Sequence, residues 1–176
     1  MRTRKNFTSI WDELDYLYCK ILKWFYSSTP NYTKSKLFAD RLGKLLNKIK
    51  PGPMAIRIEE YRSLVCEVKD DLTGAIRHRR REIKLLKRLL SLSEYPKLSS
   101  ELVGDYSDLV DRLILLSILY QNIGFSQKAI NCLKEAKELS KRHRFHFPAG
   151  KLLDYLQPAK VNLRFKKPKF SKKISC

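Results

Sequence analysis

Seven arginines and lysines lie within twelve residues, Arg77 to Arg88, in the run RHRRREIKLLKR, where Glu82 is the only acid. Side chains of this kind at this density do not form or cleave bonds by themselves; they neutralise and position phosphate groups. On a helix, Ile76, Ile83, Leu86 and Leu90 point one way. Arg77, Arg81, Lys84 and Arg88 recur at i, i+4, i+7 and i+11 on another side, flanked by Arg80 and Lys87, with Arg79 in the same run. The spacing predicts a continuous cationic ridge, a shape that tracks a phosphate backbone. A solvated outer face is the bland alternative. Against it stands the mutual repulsion of like charges one turn apart, which needs some compensating reason.

A second cationic element closes the chain. After Gln157, Lys160, Arg164, Lys166, Lys167, Lys169, Lys172 and Lys173 are interleaved with Phe165 and Phe170, and no acid occurs. Basic residues with occasional aromatics suit single-stranded nucleic acid, where phenylalanine stacks on bases. A solubilising tail and attachment to anionic lipid are the other readings. The ridge region and the tail together hold 13 of the 19 net positive charges of a chain with 37 Lys and Arg against 18 Asp and Glu. That concentration separates the pattern from uniform basicity and points to a polyanionic partner, nucleic acid (RNA or DNA) or an acidic protein.

Signatures of catalysis are missing: no glycine-rich phosphate loop, no HExxH and no nucleophile elbow. The expectation is therefore a non-enzyme with no catalytic residues. Cys132, His143 and His146 lack a fourth ligand and a CxxC partner, so no metal, cofactor or small-molecule substrate is expected. The four cysteines are far apart and read as free thiols in a reducing compartment. Cys176 sits among lysines that would lower its pKa, or is an incidental terminal residue; KISC does not match a prenylation box. Asp12, Glu13 and Asp15 interrupt any signal-like start, and the apolar run Leu113 to Tyr120 is too short to span a bilayer. These features predict a cytoplasmic protein without membrane insertion.

The elements that must position the ridge are helices almost throughout. The first is expected over about 9–27, opened by Ser9 with Asp12 as a capping box and striped by Ile10, Leu14, Leu17, Ile21 and Trp24. The second covers about 33–48, with Leu37, Leu42, Leu45, Leu46 and Ile49 inward. Pro51-Gly52-Pro53 is the clearest break. A third helix over about 54–69 and a fourth over 72–92 are joined by the Asp70-Asp71 turn, so they are antiparallel neighbours. A linker over 93–105 precedes a fifth helix (107–122) and a sixth (126–142), with Ser107 and Ser126 as N-caps. Pro148 opens a short seventh to about Leu156.

The segment Leu113 to Leu139 places Ser117, Gly124, Ala129 and Ala136 where two helices must touch, with Leu113, Leu116, Tyr120 and Leu133 between them. This spacing resembles the tetratricopeptide repeat, a helix–turn–helix unit of about 34 residues. The third and fourth helices resemble a degraded copy. Ser63 and Ala75 occupy small positions, Asp70 replaces the turn glycine, and Arg79 and Glu82 stand where large and small apolar residues belong. The resemblance implies a scaffold that holds a protein partner in a groove lined by the first helix of each pair. Here those helices carry Arg57, Glu60, Arg112 and Gln121, without the Lys/Arg/Asn carboxylate clamp of the chaperone-binding branch. The expected architecture is all-α: an N-terminal helical hairpin over 1–50, tetratricopeptide-like antiparallel hairpins with a short capping helix over 54–156, and a basic tail over 157–176.

Overall fold

Ser9 starts the first helix through two reciprocal bonds: its hydroxyl accepts from the Asp12 amide at 3.1 Å, and its own amide donates to the Asp12 carboxylate at 2.9 Å. Hydrogen bonds from the Thr8 and Ser9 hydroxyls hold Asp12 below the ordinary carboxylate pKa. In a computed structural model that describes residues 7–50, 52–92, 106–144 and 146–156, this helix is followed by six others, and no strand occurs among the described residues. They are α1 (Ile10–Phe25), α2 (Tyr32–Leu46), α3 (Ala55–Val68), α4 (Leu72–Leu92), α5 (Tyr106–Asn122), α6 (Ser126–Arg142) and α7 (Gly150–Leu156). The fold is all-α, and each helix packs on the next in chain order. The expected linker over 93–105 and the tail over 157–176 lie outside the described residues.

Two apolar cores divide the work. Leu14, Leu17 and Ile21 of α1 meet Ala39, Leu42 and Leu46 of α2 and Ile58, Tyr61 and Leu64 of α3. The second core joins Ile76, Ile83 and Leu86 of α4 to Leu109, Leu113 and Leu116 of α5, Ala129, Leu133 and Ala136 of α6, and Leu153 of α7. The Pro51-Gly52-Pro53 break is thus no boundary between cores, because the apolar stripe of α3 closes the first one.

The α3–α4 and α5–α6 hairpins turn in the same way at positions 54 apart. Asp70 and Gly124 both take left-handed backbone, at φ of 62° and 81°. The amides of Asp71 and Phe125 reach back to the carbonyls of Cys66 and Tyr120 at 2.9 and 2.8 Å. Ala75 and Ala129 are fully buried just beyond, and the Ser63 hydroxyl donates to the Ala75 carbonyl at 3.1 Å. No side chain contacts a Cβ built on Gly124, so the penalty there is conformational rather than steric. Gly124→Ala is expected to cost about 1 kcal/mol in a urea titration.

Several local expectations are corrected. Leu37 is 65% exposed; the inward stripe of α2 runs Ser35, Ala39, Leu42, Leu46, a strict i, i+4, i+7, i+11 series that leaves Leu37 on the outside. Ile10, at the first position of α1, is likewise exposed. The N-cap of α6 is Phe125, which has no side-chain cap bond; Ser126 is already helical and its hydroxyl faces Gln121 at 3.4 Å. α5 begins at Tyr106, one residue before Ser107. Pro148 lies in the turn that precedes α7, not in its first turn.

Candidate nucleic-acid interface

α4 carries opposite chemistries on opposite sides. Ile76, Ile83 and Leu86 are buried against α3 and α5. That apolar burial holds a helix whose outer face repels itself. Outside, Arg77, Arg80, Arg81, Lys84, Lys87 and Arg88 are all exposed. Among the described residues, only Lys87 of these six has an ion pair, with Glu135 of α6. The other five have no carboxylate within ion-pair distance among those residues. Thr73, Ile76, Arg77, Arg80, Arg81 and Lys84 line a shallow trough along this face.

Arg79 does not belong to the ridge. It is only 4% exposed, because it lies three residues after Ile76 and four before Ile83, on the buried stripe. Its guanidinium pairs with Glu82 at 2.6 Å and reaches Glu67 at 3.5 Å. Glu82 is completely buried and also meets Arg112 of α5 at 2.6 Å. Burial pushes the Glu82 carboxyl above the ordinary range, with Arg79 and Arg112 pulling the other way. Arg112 continues to Glu60 at 2.9 Å, Glu60 accepts from Tyr18 at 2.6 Å, and Glu67 accepts from Tyr26 at 2.7 Å. Burial, then the adjacent carboxylates, push both tyrosine hydroxyls up in pKa. An ionic layer therefore joins α1, α3, α4 and α5. The sequence signal for it was the pair of charges at two positions of the repeat-like pattern that should be apolar.

The groove residues implied by the repeat resemblance are each engaged by another side chain of the protein. Arg57 pairs with Asp15 at 3.0 Å, and Asp15 also accepts from the Tyr61 hydroxyl; Glu60 and Arg112 form the pair already described, and Gln121 faces Ser126.

Two grooves flank the outer side of α4. One, of about 460 Å³, lies between α2 and α4 over α3 and presents Lys44, Arg62, Lys69 and His78. Carboxylates meet most of these groups: Asp40 pairs with Lys69 at 2.6 Å, and Glu59 pairs with Arg62 at 3.2 Å and lies 2.7 Å from the Nδ1 of His78. The other, of about 360 Å³, lies between α4 and α6 over α5. Ile83, Leu113, Leu116 and Tyr120 line it together with Arg80, Lys84, Lys87, Glu135 and Cys132. Burial, then Glu135, raise the Cys132 thiol to about 11, against the pull of Lys87 and Arg80. At neutral pH it is a thiol, a weak nucleophile and a poor metal ligand.

His143 stacks on Tyr106 at 3.6 Å between ring centres, which closes the open end of the α5–α6 hairpin. Among the described residues no three His, Cys, Asp or Glu side chains converge to hold a metal, and no helix is long and apolar enough to cross a membrane. The tail residues Lys160, Arg164, Phe165, Lys166, Lys167, Lys169, Phe170, Lys172 and Lys173 lie outside the described residues. No known family model matches the chain, and neither a curated protein nor a solved structure is significantly similar to it.

Proposed function

We propose that this chain is a non-catalytic nucleic-acid-binding adaptor on a scaffold resembling tetratricopeptide repeats. The observation that carries the reading is the row of five exposed cations on α4, Arg77, Arg80, Arg81, Lys84 and Arg88, none ion-paired among the described residues. At the helix seams, by contrast, Arg41, Arg57, Lys69 and Arg112 pair with carboxylates of a neighbouring helix. Arg77 to Arg88 spans roughly 16 Å of helix at 1.5 Å per residue, room for about five phosphates of one strand at 3.4 Å each. The tail adds further contacts in this reading, with Arg and Lys fixing the strand and little base reading.

Fluorescence anisotropy with labelled RNA, single-stranded DNA and duplex DNA across a salt series tests it. The expected result is submicromolar binding near physiological salt, with log affinity falling against log salt at a slope of about −3 or steeper. Binding that survives only at low salt would leave the second reading, a protein scaffold for an acidic partner. Exposed Tyr32 and Leu37 of α2, large side chains left uncovered, favour that alternative.

A further inference from the structure

We infer that the α4–α6 groove takes single-stranded nucleic acid, with a base stacked on Phe125; this rests on the nucleic-acid reading and narrows it. Four observations converge. The groove has an apolar floor of Ile83, Leu113, Leu116 and Tyr120 beneath the cations Arg80 and Lys84. Its one carboxylate, Glu135, is occupied by Lys87. At the Tyr120 end, Lys128 spans two rings, with its ammonium 5.7 Å from the Tyr120 centroid and 4.6 Å from that of Phe125. Phe125 is half exposed at the tip of the α5–α6 turn, so one face of its ring is open to a ligand.

Chemistry decides between strand types. A duplex hides the faces of its bases and presents phosphates and groove edges, so an apolar floor and an exposed ring contribute nothing to holding it. A single strand presents phosphate and flat apolar surface side by side, which matches a cationic rim over an apolar floor and an aromatic beside an ammonium. Arg80 and Lys84 belong to both the α4 trough and this groove. A strand following the ridge therefore reaches the groove without leaving its cations.

The test uses the full chain, a labelled oligouridine of about twelve nucleotides and a duplex of matching length. Phe125→Ala is expected to weaken oligouridine binding by about 10-fold and to leave duplex binding unchanged, while Phe125→Trp retains the wild-type affinity. Arg80→Glu should weaken both ligands. If Phe125→Ala has no effect, or weakens both ligands equally, while Arg80→Glu still acts, the groove assignment falls and the phosphate-binding ridge stands. If neither variant changes binding, the nucleic-acid reading falls with it. Binding of an acidic amphipathic peptide, but not oligouridine, in a Phe125-dependent way would overturn the inference in favour of a protein ligand. Phe125 is half exposed and lines neither core, so loss of folding does not confound the comparison.

Discussion

Replacing Glu82 with alanine should destabilise the protein by about 3–5 kcal/mol, read as a drop in the urea midpoint. The side chain is completely buried and shared by two guanidinium groups, Arg79 and Arg112. Its removal leaves Arg79 inside the protein with only Glu67, at 3.5 Å, as an ionic partner. The Nε–H of Arg79 already has no hydrogen-bond partner among the described residues, so there is no spare acceptor to turn to. A charge taken out of water and stranded costs several kcal/mol, far more than the contact it lost had contributed. The informative control is the double change Arg79→Leu with Glu82→Ala. It copies Leu133 and Ala136, which α6 places at the same two positions of its hairpin. With both charges gone, Arg112 retains Glu60, and Glu67 retains Tyr26 and Ser63. The double variant should therefore recover most of the loss. If it is as unstable as Glu82→Ala alone, the layer is not organised around the Arg79–Glu82 pair.

Charge reversal on the ridge should give the largest functional effect. Arg77→Glu, Arg81→Glu and Lys84→Glu together remove three phosphate contacts and add three repulsions. Counterion release assigns each contact to one strand about 0.6 of a decade in affinity near physiological salt. The loss is then about 100-fold, with the salt slope reduced by about 2. All three side chains are exposed, and no ion pair holds any of them among the described residues. Folding should be unharmed, because one like-charge pair at i, i+4 is exchanged for another and no packed contact is lost. The check is anisotropy alongside a melting curve. Unchanged affinity with an unchanged melt would mean that the ridge is only a solvated face.

The sequence made the helices legible because their periodicity is strong. α4 and α6 run over the expected 72–92 and 126–142, and the Ser9–Asp12 box caps α1 as expected. The turn register was legible too, since Asp70 and Gly124 both adopt the left-handed backbone that a hairpin of this kind needs. What escaped was the assignment of individual side chains to partners. Periodicity says which stripe a residue lies on, not what lies opposite. Arg79 sits on the apolar stripe by spacing but was grouped with its charged neighbours by type. Leu37 was placed inside by type although its spacing puts it outside. Tyr18 with Glu60 and Arg112 with Glu82 join residues on different helices, and no local pattern encodes such pairs.

The position of α3 has a consequence for the order in which the chain is made. Once the ribosome has released the first three helices, the core of Leu14, Leu42 and Tyr61 can close without anything downstream. The edge of α3 would then wait with Glu60 and Glu67, held by Tyr18 and Tyr26, beside the apolar Ile56 and Cys66. Water can hold those carboxylates until Arg79 and Arg112 emerge to claim them. Nascent chains commonly aggregate through unfinished apolar seams. The acidic part of this seam is wet while it waits and becomes ion-paired and dry only when its completing helices arrive.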